Sequence, residues 1–160
     1  MAETSTPSRG QASSARRFSL RPATEADFPE IKTLIRQVRI NPTKLDWHRF
    51  TVAVSGGDLI GCVQLKPVPG GLTELASLAV QPSYRHQGIA RALTEHLLAD
   101  APHPVYLTCR SGLGELYKKF GFRALANDET PVYYRRLQRL AGLLMELSRR
   151  GETLLVMKLG

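Results

Sequence analysis

The pattern of apolar and polar residues along the chain predicts alternating strands and amphipathic helices. Short apolar runs bounded by Gly, Pro and Asn are typical of strands, and apolar residues spaced three and four apart are typical of helices. The expected strands span residues 18–21, 50–54, 59–65, 73–80, 105–109, 122–125 and 153–159. The expected helices carry the stripe Phe28, Ile31, Leu34, Ile35 and Val38, the segments 88–99 and 113–120, and the stripe Leu137, Leu140, Leu144 and Leu147.

This order of elements predicts an α/β (α+β) protein with a mixed, mostly antiparallel central sheet of about six to seven strands flanked by helices. Turn clusters at 55–58 and 67–71 separate three consecutive strands, which indicates an antiparallel meander. Residues 1–17 are rich in Ser, Thr, Ala and Arg with few large apolar side chains, so we expect a disordered N-terminal tail. Residues 18–160 then form a single domain.

Local signals mark where the first helix begins and where the third helix ends. Thr24 followed by Asp27 resembles a capping box at the start of the first helix. Gly121 is placed to end the third helix, where a glycine commonly adopts a left-handed conformation.

Composition and charge narrow the functional classes. The chain has 160 residues and a formal net charge of +8, a balance that favours anionic partners such as phosphorylated cofactors or nucleic acid. No apolar run approaches the roughly 20 residues of a membrane-spanning helix, so we expect no membrane partner. Cys62 and Cys109 fall inside predicted strands, which indicates buried structural thiols and favours a reducing, cytoplasmic location.

A basic, glycine-bearing turn is the clearest candidate for a binding site. Residues 85–90 follow the strand 73–80 and open the helix 88–99. Backbone N–H groups at a helix N-terminus point at one spot and the helix dipole adds positive charge, so the turn can bind an anion. Gly88 lets the backbone approach a phosphate without a Cβ in the way. The alternative is an ordinary strand–turn–helix connection that binds nothing.

Two motifs together resemble a known family. Arg85-x-x-Gly88-x-Ala90 after a strand, and Tyr117-x-x-x-Gly121-Phe122 at the end of a later helix, are similar to the signatures of the GCN5-related N-acetyltransferase (GNAT) family. The resemblance covers roughly residues 18–125 and the last strand. It implies the acyl-CoA N-acyltransferase fold, acetyl-CoA as co-substrate and no metal. The implied cofactor-binding residues are Leu78, Ala79, Val80, Arg85, His86, Gln87, Gly88, Ile89 and Ala90.

The resemblance also implies two catalytic residues. Glu74 begins the strand that would carry the cofactor, where relatives place a carboxylate that takes a proton from the amine directly or through water. Tyr117 matches the tyrosine that protonates the leaving thiolate, since a phenol and a thiol have similar pKa values. A solvated strand-end glutamate and a packed tyrosine are the alternatives for these two positions.

Candidate substrate residues lie outside these motifs. Trp47 sits in the irregular segment 40–48 and either contacts substrate or anchors the packing. Many relatives have Asn and Ala where this chain has Arg110 and Leu113, so Arg110 either faces a substrate carboxylate or lies on the surface. Residues 126–150 exceed the family minimum and could line the substrate cleft, cover a sheet edge or form a homodimer contact.

These observations predict an N-acetyltransferase that moves the acetyl group of acetyl-CoA directly to a primary amine of a small molecule such as an amino acid. The positive net charge disfavours a polycationic acceptor. A protein N-acetyltransferase acting on a lysine or an N-terminus remains open, as does a non-catalytic acyl-CoA-binding module. A nucleic-acid-binding module is a further alternative, although no aromatic-plus-basic RNA motif or recognition-helix pattern supports it.

Overall fold

The computed structural model describes residues 17–146 and 151–160. Within this part of the chain, seven strands form one sheet and four α-helices pack on it. The strands are β1 (Ser19–Pro22), β2 (Phe50–Ser55), β3 (Asp58–Val68), β4 (Leu72–Val80), β5 (Val105–Arg110), β6 (Arg123–Ala124) and β7 (Leu154–Leu159). The helices are α1 (Phe28–Gln37), α2 (Ile89–Ala99), α3 (Gly114–Lys118) and α4 (Val132–Glu146). The predicted tail up to residue 16, and Leu147, lie outside the described residues.

The strand order β1-β2-β3-β4-β5-β7-β6 confirms the predicted mixed, mostly antiparallel sheet. The predicted meander is β2-β3-β4, in which neighbouring strands pair antiparallel. β4 and β5 run parallel and pair only where Thr73 meets Val105 and Glu74 meets Tyr106. Beyond that point β4 continues along β3 while β5 continues along β7. We call the gap between residues 75–80 of β4 and 107–110 of β5 the strand opening.

A bulge in β4 lies beside the strand opening. Cys62 pairs with Ala79 and Gln64 pairs with Ala76, so two residues of β4 stand opposite Val63 alone. One of the two, Ser77, has a φ of +58°, in the left-handed region. A bulge bends its strand and increases the local twist. The bulge therefore helps to carry the second half of β4 away from the line of β5.

The helices divide the molecule into two layers of side chains. α2 and α3 cover one face of the sheet, which we call the α2 face, over a cluster that includes Ile60, Val63 and Leu107. α1 and α4 cover the other, the α1/α4 face, through one cluster around Ile31 and Phe50 and another with Val68, Tyr106, Tyr134 and Val156.

The strand periodicity explains a polar gap between the two clusters of the α1/α4 face. Cys62 belongs to the α1 cluster and Val68 to the α4 cluster, and alternate residues of a strand share a face. The two positions between them on this face hold Gln64 and Lys66, which are polar. The apolar core of the α1/α4 face is therefore interrupted directly over β3.

Local signals are borne out at the first and third helices. The Asp27 carboxylate accepts from the Thr24 N–H at 2.7 Å, which completes the predicted capping box. The Arg21 guanidinium donates to the same carboxylate at 2.7 and 2.9 Å and, with the Thr24 bonds, holds the pKa of Asp27 below its usual range. Gly121 follows α3 with a φ of +89°, as expected for a glycine that ends a helix.

The fourth helix agrees with its predicted leucine stripe at Leu137 and departs from it at Leu140. The helix itself is confirmed, but Leu140 is 58% exposed, whereas Tyr134 is fully buried. Tyr134 stacks on Tyr106 with ring centroids 5.6 Å apart, and Leu137 packs beside them, so both aromatic and leucine contacts attach α4 to the sheet. β6 is shorter than the predicted strand 122–125, because it pairs with β7 over only two residues at the sheet edge.

Replacement of Gly61 by Ala tests how closely α2 approaches the sheet. A Cβ at this position would stand 3.1 Å from the Ala79 carbonyl oxygen and 3.1 Å from side-chain atoms of Ile89 and Leu93. We expect the free energy of unfolding, measured by urea denaturation, to fall by about 1–3 kcal/mol because the core is overpacked. Gly142→Ala is the control, since its added methyl meets nothing within 4 Å and should raise helix stability by up to about 1 kcal/mol. Unchanged stability of Gly61→Ala would contradict the tight contact.

Candidate active site

The turn before α2 is built to expose backbone N–H groups. A short 3₁₀ turn, Pro82–Tyr84, leads from β4 to Arg85, and Gly88 is the N-cap of α2 with a φ of +79°. The first amide with a helical acceptor is that of Ala92, which donates to the Gly88 carbonyl at 2.9 Å. The amides just before it have no carbonyl of the helix to bond. A Cβ at Gly88 would meet no heavy atom within 4 Å, so the space beside these amides is open.

The predicted members of the turn contribute in different ways. Arg85, His86 and Gln87 have exposed side chains, but the Arg85 N–H already donates to the Pro82 carbonyl at 3.4 Å. The Ile89 side chain is buried in the α2-face core, which anchors the turn and leaves its backbone as the part that faces outward. All the amides of residues 85–90 were expected to be available to an anion. Because the Arg85 amide is already bonded, those from His86 to Ala90 remain available.

The predicted strand residues offer backbone rather than side chains. Leu78 and Val80 pack against the α2-face core, and Ala79 is buried in the α1 cluster. β5 pairs with none of these three residues. The backbone groups on that edge of β4 therefore face the strand opening. Together with the amides of the turn, this edge fits an elongated ligand that carries amide groups and an anionic end, as acyl-CoA does.

Glu74 lies where the strand opening begins. It belongs to the last rung that joins β4 to β5, opposite Tyr106, and is 5% exposed. Its Oε2 accepts a hydrogen bond from the Tyr134 hydroxyl at 2.9 Å, and its Oε1 lies 3.4 Å from the Lys66 Nζ. The alternative of a solvated strand-end glutamate is therefore wrong, because the carboxylate is buried and paired from two sides.

Two further polar residues continue from Glu74 along the α1/α4 face. Gln64 is fully buried, and its Nε2 donates to the Ser77 Oγ at 3.0 Å. Its Oε1 has no hydrogen-bond partner among the described residues. We call Gln64, Lys66, Glu74 and Ser77 the polar strip. It runs over β3 and β4 beside the strand opening, between α1 and α4.

Sequence reasoning missed most of the polar strip. Gln64 and Lys66 occupy two successive inward positions of β3, and polar residues at such positions are a signal that the sequence does contain. Ser77 carries no such signal, since its left-handed backbone arises from the bulge. Tyr134 belongs to the segment 126–150, which was expected to line the substrate cleft, cover a sheet edge or form a homodimer contact. Nothing in the sequence indicated its contact with Glu74.

Tyr117 lies on the other side of the sheet. It projects from α3 into the α2-face core and is 9% exposed. Its ring packs edge to face on that of Phe122, with the ring centroids 6.3 Å apart. Burial, with a smaller effect of nearby Cys109, raises the pKa of Tyr117 to about 12. The phenol is therefore a weaker acid than an exposed tyrosine and keeps its proton at neutral pH. Glu74 and Tyr117 lie on opposite faces, and β4 and β5 part between them.

The two candidate substrate residues have protein partners. Trp47 begins a 3₁₀ turn, Trp47–Arg49, and stacks on His48 with ring centroids 3.6 Å apart. Asp46 accepts from the His48 backbone N–H and lies 2.8 Å from its ring Nδ1. Arg110, at the end of β5, lies 3.6 Å from Glu152 and remains partly exposed. The structure does not bring Trp47 and Arg110 together.

A cleft of about 950 Å³ lies elsewhere, between α4 and the start of β7. Its lining includes Arg135, Arg139, Asn127 and Glu152, and none of the predicted site residues contributes to it.

Within the described parts of the chain, no set of three or more His, Cys, Asp or Glu residues converges on a point where a metal ion could bind. None of the helices described is long and apolar enough to cross a membrane.

Both cysteines are confirmed as buried thiols. Cys62 is 0% exposed and Cys109 is 6% exposed. Burial raises the pKa of Cys62 to about 12 and that of Cys109 to about 11. Neither thiol therefore ionises to a measurable extent at neutral pH.

Comparison with known proteins agrees with this geometry. Residues 17–122 match the model of the Acetyltransferase (GNAT) family, and the chain therefore belongs to this family. The fold matches that of N-acetylglutamate synthase from Neisseria gonorrhoeae, complexed with coenzyme A and N-acetyl-glutamate, with a TM-score of 0.68 and 25% identity. That match covers 89% of this chain and 35% of the synthase, so the chain spans about a third of the length of that protein.

Two other solved structures extend the likeness of fold. Rv2747 from Mycobacterium tuberculosis, in complex with CoA and a second ligand, is 23% identical with a TM-score of 0.63 over 86% of this chain and 97% of that one. A GNAT-family acetyltransferase from Bacillus cereus is 16% identical with a TM-score of 0.61, over 88% of this chain and 95% of that one. At these identities the likeness shows the acyl-CoA N-acyltransferase fold.

Replacement of Gly88 by Ala tests the anion site in the turn. An alanine in the left-handed conformation costs about 1 kcal/mol of stability, so the backbone of the turn should relax and its amides should shift. We expect this shift to weaken CoA binding by roughly tenfold, measured by titration calorimetry. Gly57→Ala is the matched control, because Gly57 has a φ of +92° and open space around its Cβ position but lies in the β2–β3 turn. The two variants should lose similar stability while only Gly88→Ala loses affinity. Equal CoA affinity in both variants would rule out the turn as the anion site.

Proposed function

We propose that this protein transfers the acetyl group of acetyl-CoA directly to a primary amine of a small molecule such as an amino acid. The observation that carries the proposal is the position of Glu74. A buried carboxylate stands at the rung where β4 and β5 part, beside the gap that fits an acyl-CoA. A base at this place meets an amine that approaches the gap from the α1/α4 face.

Several groups are suited to holding the acetyl-CoA. The free amides from His86 to Ala90 and the Arg85 side chain provide positive charge for the pyrophosphate. The edge of β4 at Leu78, Ala79 and Val80 provides backbone groups for the arm that leads to the thioester. When bound, acetyl-CoA supplies the activated acyl group of the reaction.

Glu74 is the proposed general base. An amine is protonated at neutral pH and must lose a proton before it can attack, and a carboxylate can take that proton directly or through water. The Lys66 Nζ and the Tyr134 hydroxyl both stabilise the ionised form of the carboxylate. Among the described residues, the polar contact of Glu74 Oε1 is the 3.4 Å one with the Lys66 Nζ, so this oxygen retains lone pairs for a proton.

Tyr117 is the proposed general acid. Its pKa of about 12 keeps the phenol protonated throughout the neutral range, so the proton is present when a thiolate leaves. Its place on the α2 face puts the acid and the base on opposite sides of the strand opening. The two groups can therefore reach the reacting atoms from different sides of the sheet.

The choice of an amino acid as acceptor rests on the comparison. The N-acetylglutamate synthase of Neisseria gonorrhoeae is complexed with an acetylated amino acid, N-acetyl-glutamate, in addition to coenzyme A. The net charge of +8 supports an anionic or zwitterionic amine over a polyamine.

A screen of amines with acetyl-CoA, followed by release of the CoA thiol, tests the proposal on wild type and Glu74→Gln. The amines include acidic, neutral and basic amino acids, a polyamine and lysine-containing peptides. Loss of the base should lower kcat/KM at neutral pH by about 10²-fold or more. Glu95→Gln on the exposed side of α2 is the control and should retain the wild-type rate. A thermal shift with CoA but no thiol release from any amine would instead indicate a binding module.

Tyr117→Phe tests the acid independently of the base. We expect kcat to fall by about 10²-fold with unchanged CoA affinity, because the ring stays and only the proton is lost. Since the pKa of Tyr117 is raised, the phenol is protonated below that pKa and loses its proton only as the pH rises through about 12. Wild-type kcat should therefore show no decline from phenol ionisation up to pH 10. Full kcat in Tyr117→Phe would remove this role.

A further inference from the structure

Two contacts to Glu74 come from residues that sequence motifs do not include. Tyr134 donates to Oε2 at 2.9 Å and Lys66 lies 3.4 Å from Oε1, so the two carboxylate oxygens have different partners. The Lys66 side chain is 12% exposed and that of Glu74 is 7% exposed. Screening by water is weak at such a site, so both partners act strongly on the carboxylate.

The supporting packing holds Tyr134 in one orientation. Its ring is fully buried between Tyr106, at a centroid distance of 5.6 Å, and Tyr133, at 5.0 Å. Burial and the adjacent Glu74 carboxylate raise the pKa of Tyr134 above its usual range, so its hydroxyl remains a hydrogen-bond donor. The hydroxyl cannot swing to water without moving α4 from the sheet.

We infer that Tyr134 and Lys66 are positioning residues that keep Glu74 ionised and aimed at the strand opening, which makes α4 a part of the catalytic apparatus. The inference rests on the proposed role of Glu74 as base. The Glu74 side chain is 7% exposed, and only a charged carboxylate can accept a proton from the amine, so an adjacent positive charge and a hydrogen-bond donor favour the form that the proposed base needs. Lys66 supplies the opposite charge, and the hydrogen bond from Tyr134 fixes the orientation of the carboxylate.

The titratable groups that face Glu74 are few among the described residues. They are Lys66 from β3, Tyr106 from β5, and Tyr133 and Tyr134 from α4. The pKa values of Tyr133 and Tyr134 are raised by burial and by the negative charge of Glu74, so these two phenols stay neutral over the whole acid limb of a pH–rate profile. A change in the acid limb of the pH–rate profile can therefore be assigned to the carboxyl group.

Tyr134→Phe is the central test, because it keeps the buried ring and removes only the hydroxyl. The loss of a donor to the charged form favours protonation, so the acid limb of log kcat/KM against pH should move to higher pH by about one unit. The rate should return toward the wild-type value above that limb. Lys66→Met should shift the limb in the same direction. Tyr133→Phe, which removes a hydroxyl from the adjacent residue of α4, is the control and should leave the limb in place.

A merely structural role of these residues gives a different result. It would lower the rate by the same factor at every pH and leave the acid limb unmoved, and this outcome would overturn the inference. A carbon-13 NMR titration of the glutamate carboxyls provides a readout that needs no acceptor, with the Glu74 resonance assigned from Glu74→Gln. The pH at which this resonance shifts should rise in Tyr134→Phe and in Lys66→Met, and an unchanged titration in both variants would also overturn it.

The outcomes separate this inference from the proposed function. If Glu74→Gln keeps the wild-type rate and profile, the carboxylate is not the base and both proposals fail. If Glu74→Gln lowers the rate while Tyr134→Phe and Lys66→Met keep the wild-type acid limb, only the positioning role fails.

Discussion

The short pairing between β4 and β5 is the constraint on which the rest of the site depends. A parallel pair joins the two halves of the sheet at Thr73 and Glu74 and then ends, although both strands continue. Backbone groups along the vacated edges need partners, since buried N–H and C=O groups are rarely left unpaired. A ligand with amides along its length can supply them. The apolar core is continuous with both strands, whereas the edges along the strand opening are left without a strand partner, and this opening is the proposed site.

The same separation gives each side of the sheet its own chemistry. The α2 face holds the proposed proton donor in apolar surroundings, where Tyr117 and Cys109 remain neutral. The α1/α4 face holds the charged groups, in which Lys66 balances Glu74. The proposed acid and the proposed base can therefore approach the strand opening from different sides, so that each can act on a different atom of the reaction.

Sequence reasoning succeeded where local rules decide the structure and failed where tertiary contacts do. The strand–turn–helix around Gly88, the Thr24–Asp27 cap and the Gly121 helix end follow from local backbone preferences, and each was predicted. The bulge at Ser77 and the contact from Tyr134 to Glu74 join residues far apart in the chain, so no local pattern could reveal them. The leucines of α4 predicted the helix and, through Leu137, a part of its buried face, but they did not indicate Tyr134, whose ring stacks on Tyr106.

The burial of Cys62 and Cys109 has a consequence for the thiol that the proposed reaction would release. An acetyltransferase that uses acetyl-CoA releases a free thiol in each turnover, and thiols exchange with accessible cysteines once any of them is oxidised. Such exchange begins with a thiolate, and the raised pKa values of about 12 and 11 keep both cysteines as thiols inside the sheet. Mixed disulfides between coenzyme A and this chain are therefore disfavoured.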